Sequence, residues 1–145
     1  MYVEVWSNCI RKKPKLRTFI QLKQDFKTEK YVSLNLERNQ RSLLAQLRTG
    51  TLPLHLETGR FENKKVEERT CKICGTNNVE TECHFLFHCP YYNEDRMKLF
   101  ADTNIKMEST DCMNLCHLFI NNTRKLAKYV CRIFSKRKDK LFVFT

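Results

Sequence analysis

The sequence predicts a mostly helical domain, a small helical fold with an inserted cysteine- and histidine-bearing loop. Three observations lead there. Apolar residues recur at helical spacing in several stretches, above all 37–49 and 124–138. Only 3 Gly and 3 Pro punctuate the 145 residues, so little breaks the helical pattern. Where periodicity lapses, Cys71–Pro90 (CKICGTNNVETECHFLFHCP) carries Cys and His at metal-ligand spacing, a second source of order. The length fits one compact domain. It divides into a basic helical part (1–70), a metal-binding module with its following helix (71–100) and a basic amphipathic helical part (101–145).

Composition narrows the class of partner. Lys and Arg total 27 against 16 acids, a formal charge of +11. That favours a polyanion, nucleic acid first and an anionic membrane surface second. The charge is uneven: residues 1–70 hold 15 Lys/Arg against 8 acids, 71–110 hold 4 against 6, and 111–145 hold 8 against 2. The basic character therefore lies in the flanks and not in the cysteine-bearing segment. Eight cysteines would suit a disulfide framework. The opening Met1-Tyr-Val-Glu-Val-Trp lacks the pattern of a secretory leader, however, and three cysteines take up ligand spacing, so the expectation is a reducing, intracellular setting, nucleus or cytoplasm. No apolar run reaches the length of a membrane span.

In chain order, residues 2–10 are mixed, with Trp6 as a core anchor. The basic run Arg11–Lys15 is broken by Pro14 and reads equally as solvated linker or phosphate contact. From Pro14, the residues Leu16, Phe19, Ile20, Lys23 and Phe26 fall at helical spacing. Thr28 suits the cap of a short element running to Leu36. Residues 37–49 form the clearest helix of the first half: Leu36, Leu43, Leu44 and Leu47 share a face, Arg38, Arg41 and Arg48 spread over the rest, and Gly50 stands at the C-terminal cap. Thr51–Phe61 is a turn-rich connector in which His55 reads as a core or boundary histidine, and 62–70 is a solvated loop or short helix.

Pro90 suits a first helical position, with Cys89 near the N-cap of a helix over 90–100 and Glu94 and Asp95 in its early turns. Residues 101–111 read as loop. Over 111–120, Cys112, Leu115, Cys116 and Phe119 share the face of a short buried helix, and Cys112 and Cys116 read as core cysteines rather than a second metal pair. Asn121-Asn122-Thr123 caps a last helix from Arg124 to about Lys138. Leu126, Tyr129, Val130, Ile133 and Phe134 make its apolar stripe, and Arg124, Lys125, Lys128, Arg132 and Lys136 the opposite face. The tail 141–145 tucks back or frays.

The central segment carries the chemistry. Cys71, Cys74, His84 and Cys89 are spaced C-x2-C-x9-H-x4-C, a four-ligand set of the kind that binds structural Zn2+. The C-x2-C turn brings two thiolates to one ion, and Gly75 suits the tight conformation that follows. Alternatives stay open beside it. Cys83 in place of His84 gives C-x2-C-x8-C-x5-C, and His84 with His88 gives an H-x3-H pair whose distance from the first pair is short for a two-Cys, two-His finger. A saturated site leaves no open position for hydrolysis. The His-x-Glu…Pro-Cys-x-x-Cys order of zinc deaminases and any Gly-rich phosphate loop are absent, so no catalytic residue or organic cofactor is expected.

The stretch RSLLAQLRTGTLPLHLETGRF (41–61) followed by ERTCKICGTNNVETECHFLFHCPYYNEDR (68–96) resembles the C-terminal zinc-binding region of non-LTR (LINE-type) retrotransposon reverse transcriptases. The resemblance spans roughly residues 15–140 and is closest in Cys-x-x-Cys followed by Glu-x-His-Phe-Leu-Phe-x-Cys-Pro. It implies Cys71, Cys74, His84 and Cys89 as ligands, with Cys83 and His88 as bystanders. It also implies a zinc-knuckle-like segment that lies downstream of a polymerase and helps hold template RNA or target DNA. The Tyr/Phe-x-Asp-Asp palm motif and the endonuclease acid cluster are missing, so the chain itself is expected to be non-catalytic. The expected function is nucleic-acid binding through backbone phosphates, with Arg38, Arg41, Arg48, Arg124, Lys125, Lys128 and Arg132 as contacts. The alternatives are a zinc-stabilised module for an acidic protein partner, and a transposon remnant without a cellular role.

Overall fold

The computed structural model describes residues 2–13, 16–23, 27–106 and 111–143. Pro14, Lys15, Phe26, residues 107–110, the last two residues and the side chains of Arg17 and Cys112 lie outside that description. The chain is mostly helical, as predicted. Its α-helices are α1 (Tyr2–Arg11), α2 (Arg17–Leu22), α3 (Lys30–Ser33), α4 (Arg38–Thr49), α5 (His55–Thr58), α6 (Asn93–Thr103), α7 (Asp111–Asn121) and α8 (Thr123–Val143). Short turns at Val66–Glu68, His84–His88 and Pro90–Tyr92 punctuate the middle.

Helix α4 shows why the strongest sequence signal becomes structure. Glu37 and Gln40 form a reciprocal capping box at its start, which satisfies N–H groups that have no partner inside the helix. At its end Gly50 takes φ 69°, the left-handed conformation that glycine adopts without a Cβ clash. Leu43, Leu44 and Leu47 are buried. They share one cluster with Leu126, Val130 and Ile133 of α8, and α4 and α8 pack directly together. Helices α6 and α7 also pack on α8, and α2 packs on α4 and α7. The cysteines described are all free thiols.

Several boundaries depart from expectation. Residues 2–10 form a full helix, α1, with Trp6 half-buried and edge-on to Phe19 at 6.2 Å. The helix expected from Pro14 onward is confined, where described, to α2, because Lys23 turns extended at φ −103°, ψ 106°. Glu29 rather than Thr28 precedes α3. A single 3-10 turn, Pro90–Tyr92, separates Cys89 from α6, and α6 continues to Thr103, ending at left-handed Asn104. Helix α8 runs on through Val143 and carries Phe142 and Val143 into solvent instead of tucking them back.

Candidate metal centre

Two segments supply the ligands. Thr70 and Val79 form an isolated antiparallel bridge. It is extended by Cys71 N–H donating to Asn78 O at 2.8 Å and Glu80 N–H donating to Arg69 O at 3.0 Å. Between its arms the chain reverses through Gly75 at φ 65° and Asn77 at φ 58°, positions that Gly and Asn tolerate best. The reversal presents Cys71 and Cys74 together.

The second segment, His84–His88, is a π turn in which Cys89 N–H donates to His84 O at 2.7 Å. The winding matters. An α-helix advances about 100° per residue, which would set positions five apart roughly 140° from each other. The wider i→i−5 turn brings them close to one full turn apart. His84 and Cys89 thereby face the same point. His84 N–H also donates to Thr81 Oγ1 at 3.1 Å, fixing the start of the turn.

The result is a group of four. The sulfurs of Cys71, Cys74 and Cys89 and a ring nitrogen of His84 lie within 4.8 Å of one another, three of the residues buried and Cys74 half-buried. Cys74 Sγ is 3.4 Å from His84 Nε2. Around a tetrahedral zinc with Zn–S of about 2.3 Å and Zn–N of about 2.0 Å, such atoms stand about 3.5–3.8 Å apart. The group can therefore hold a zinc-sized ion with sub-ångström adjustments, and its soft sulfur and imidazole donors suit that metal. Cys83, half-buried, and His88, exposed, stand outside the group.

The thiols are electrostatically unequal. The hydrogen bond with Cys89, aided by backbone N–H groups of Ile73 and Cys74, holds Cys71 down to about 5. The same contact, together with burial, pushes Cys89 up. Cys71 is the acceptor thiolate and Cys89 carries the proton between them, a proton that an ion would displace.

Around this group lies a shell of buried polar residues, of which only His55 was expected from the sequence. Arg96 donates through Nε to Leu86 O at 3.1 Å and through Nη2 to Cys89 O at 2.7 Å. Tyr129 Oη donates to the same Leu86 O at 2.6 Å. These donors satisfy carbonyls of the ligand-bearing turn that α-helical bonding does not use. Glu80, at 1 % exposure, meets Arg137 in a fork at 2.7 and 2.8 Å and accepts His55 N–H at 2.5 Å. Burial works against the Arg137 charge, and Glu80 outweighs it and holds the guanidinium protonated. The imidazole of His55, buried as expected, has Nδ1 2.6 Å from Thr70 O. Tyr92, beside Cys89 and Arg137, is pushed well above the usual phenol range by burial. One signal for this shell was in the sequence: Arg137 continues the Leu126–Val130–Ile133 stripe, so helical phase already put it on the buried side of α8.

The expected cationic contacts divide. Arg38, Arg41, Arg124, Lys125, Lys128 and Arg132 are exposed. Arg124 donates to Asn35 O at 3.0 Å and Lys125 to Asp102 O at 2.5 Å, which tie the start of α8 to its neighbours. Arg48 is a correction. It is 7 % exposed, lies 2.5 Å from Glu29 Oε1, and stacks over the Phe19 ring at 4.9 Å and the Tyr31 ring at 5.7 Å. A guanidinium already paired and stacked inside the fold presents no fork to a phosphate. Among the described residues no helix is long and apolar enough to cross a membrane.

Comparison with known protein families, curated proteins and solved structures yields no match to this chain.

Proposed function

We propose that this chain is a zinc-holding module that binds nucleic acid mainly through backbone phosphates, akin to the non-catalytic region downstream of a LINE-type reverse transcriptase. The observation that carries the metal half is the convergence of Cys71, Cys74, His84 and Cys89 within 4.8 Å. When bound, zinc would act as a structural clamp, since four protein donors leave no open position. Around it the chain's own residues do the remaining work: Glu80 and Arg137 lock the Cys71–Cys74 hairpin to α8, and Arg96 and Tyr129 hold the His84–Cys89 turn.

The nucleic-acid half rests on the exposed face of α8, where Arg124, Lys125, Lys128 and Arg132 stand in solvent, and on Arg38 and Arg41 of α4. Because α4 and α8 pack together, these cations belong to one packed pair of helices. Arginine forks and lysine ammonium groups on a rigid surface suit phosphate oxygens without reading base sequence.

A salt titration tests the reading. The metal-loaded chain is titrated against single-stranded RNA, duplex DNA and an acidic protein at stepped potassium chloride. The expected result is nucleic-acid affinity that falls log-linearly with salt. No nucleic-acid binding at low salt, or tighter binding of the acidic protein, would overturn it in favour of a protein-interaction module.

A further inference from the structure

The exposed face of α8 continues past the residues named so far. Lys128, Arg132, Lys136 and Lys140 recur every four positions, about 6 Å of rise per step, on a ridge that winds about 120° round the helix from first to last. Lys128 is exposed, the Arg132 and Lys136 side chains are 54 % and 42 % exposed, and Lys140 is half-buried. At the far end Lys140 Nζ stands 5.8 Å from the centroid of the Tyr91 ring.

Tyr91 is the second residue after the ligand Cys89 and lies in the Pro90–Tyr92 turn. Its ring is 42 % exposed and meets Tyr92 edge-on at 5.2 Å and 81°. Tyr92 is itself fully buried against Phe85 at 5.4 Å. The exposed ring is therefore backed by core aromatics and positioned by the metal-ligand turn. The acids nearby offset part of the row and leave it net cationic. Buried Asp95 lies between Arg132 at 3.7 Å and Lys136 at 2.5 Å, Glu94 pairs with Lys98 at 3.0 Å, and Asp139 is exposed on α8.

A cationic row that ends at a braced, exposed aromatic ring has the chemistry of a single-strand site: phosphates follow the charges and an unstacked base covers the ring. A duplex keeps its bases stacked inside and can use only the charges. We infer that Tyr91 is a stacking platform for an unpaired base, and that the Lys128–Lys140 row makes this chain prefer single-stranded over double-stranded nucleic acid. The inference deepens the proposed function and rests on it. It adds Tyr91, Lys136 and Lys140 to the interface and makes the metal centre responsible for placing the ring.

The test uses the full zinc-loaded chain and fluorescence anisotropy with labelled oligouridylate, oligothymidylate and a duplex of equal length. Wild type binds the single strands more tightly than the duplex. Tyr91→Ala weakens single-strand binding about tenfold, leaves duplex binding unchanged, and keeps its zinc and its circular dichroism. Tyr91→Phe binds like wild type because the π face is retained. Lys140→Gln weakens both and lowers the salt slope by just under one for the single strands. Equal losses on single strand and duplex in Tyr91→Ala, no loss at all, or a duplex preference in wild type would overturn the inference. If Lys128→Glu with Arg132→Glu weakens every nucleic acid while Tyr91→Ala weakens none, the phosphate reading stands and the stacking falls. If wild type binds no nucleic acid at low salt, both fall.

Discussion

Between Thr70 and Tyr92 the backbone makes one isolated bridge and two short turns that are not α-helical; Phe85, Leu86 and Phe87 anchor it in the apolar core, and a dense set of polar contacts adds to them: the four ligand atoms, the Glu80–Arg137 fork, and the Arg96 and Tyr129 donors. The α4–α8 pair lacks the ligand group, and its two helices are joined through Leu43, Leu44, Leu47, Leu126, Val130 and Ile133. The structure shows the flanks packing directly on each other through apolar surface, with the metal segment docked onto α8. One region adds to its buried aromatics a set of directional contacts that fail together when a partner is lost. The other depends on buried area, which is graded and tolerant.

The strongest way to break that contrast is to remove the ion. Chelation, or Cys71→Ser or His84→Ala, is expected to abolish zinc binding and forfeit a coupling on the order of 10 kcal/mol. Hydrogen exchange should then show 70–92 losing protection while α4 and the middle of α8 keep theirs. Uniform loss across both regions would mean that they are one cooperative unit. Cys83→Ser should keep one zinc per chain, because Cys83 stands outside the ligand group.

Next in size is the joint between the regions. Arg137→Ala leaves Glu80 buried and unpaired, at a cost of about 3–5 kcal/mol, read as a fall in melting temperature together with weaker zinc retention against a chelator. Leu44→Ala, at 0 % exposure, should cost about 2–5 kcal/mol and leave zinc stoichiometry at one, the signature of damage confined to the apolar pair.

The smallest effect sharpens the electrostatics. Cys89, pushed up by its contact with Cys71 and by burial, holds a proton in the metal-free chain. Ion binding displaces that proton, so zinc affinity falls as pH falls, by about tenfold per pH unit for each proton released. Competition with a chelator at two pH values measures it; an affinity independent of pH would show Cys89 already ionised.

Much of this was legible in the residues themselves. The C-x2-C-x9-H-x4-C spacing picked out the four residues that converge, because a metal ligand set is dictated by side-chain chemistry and short-range chain reach. The end of α4 followed from Gly50, and the α8 stripe from helical phase, since both are local rules of backbone and solvent. Three things needed the tertiary structure. The π winding of His84–His88, which turns His84 and Cys89 to one point, leaves carbonyls that are met by Arg96 of α6 and by Tyr129 of α8, 43 residues from Leu86. Arg48 looks like its exposed neighbours in composition and differs in what packs against it, Glu29 with two aromatic rings, while Arg137, turned inward by helical phase, takes its partner Glu80 from 57 residues away. Tyr91 acquires its place beside Lys140 because α8 runs back across the metal turn. Spacing along the chain determines which groups are able to meet. Which charges stay in solvent is decided by long-range packing, because burial is a property of the neighbours.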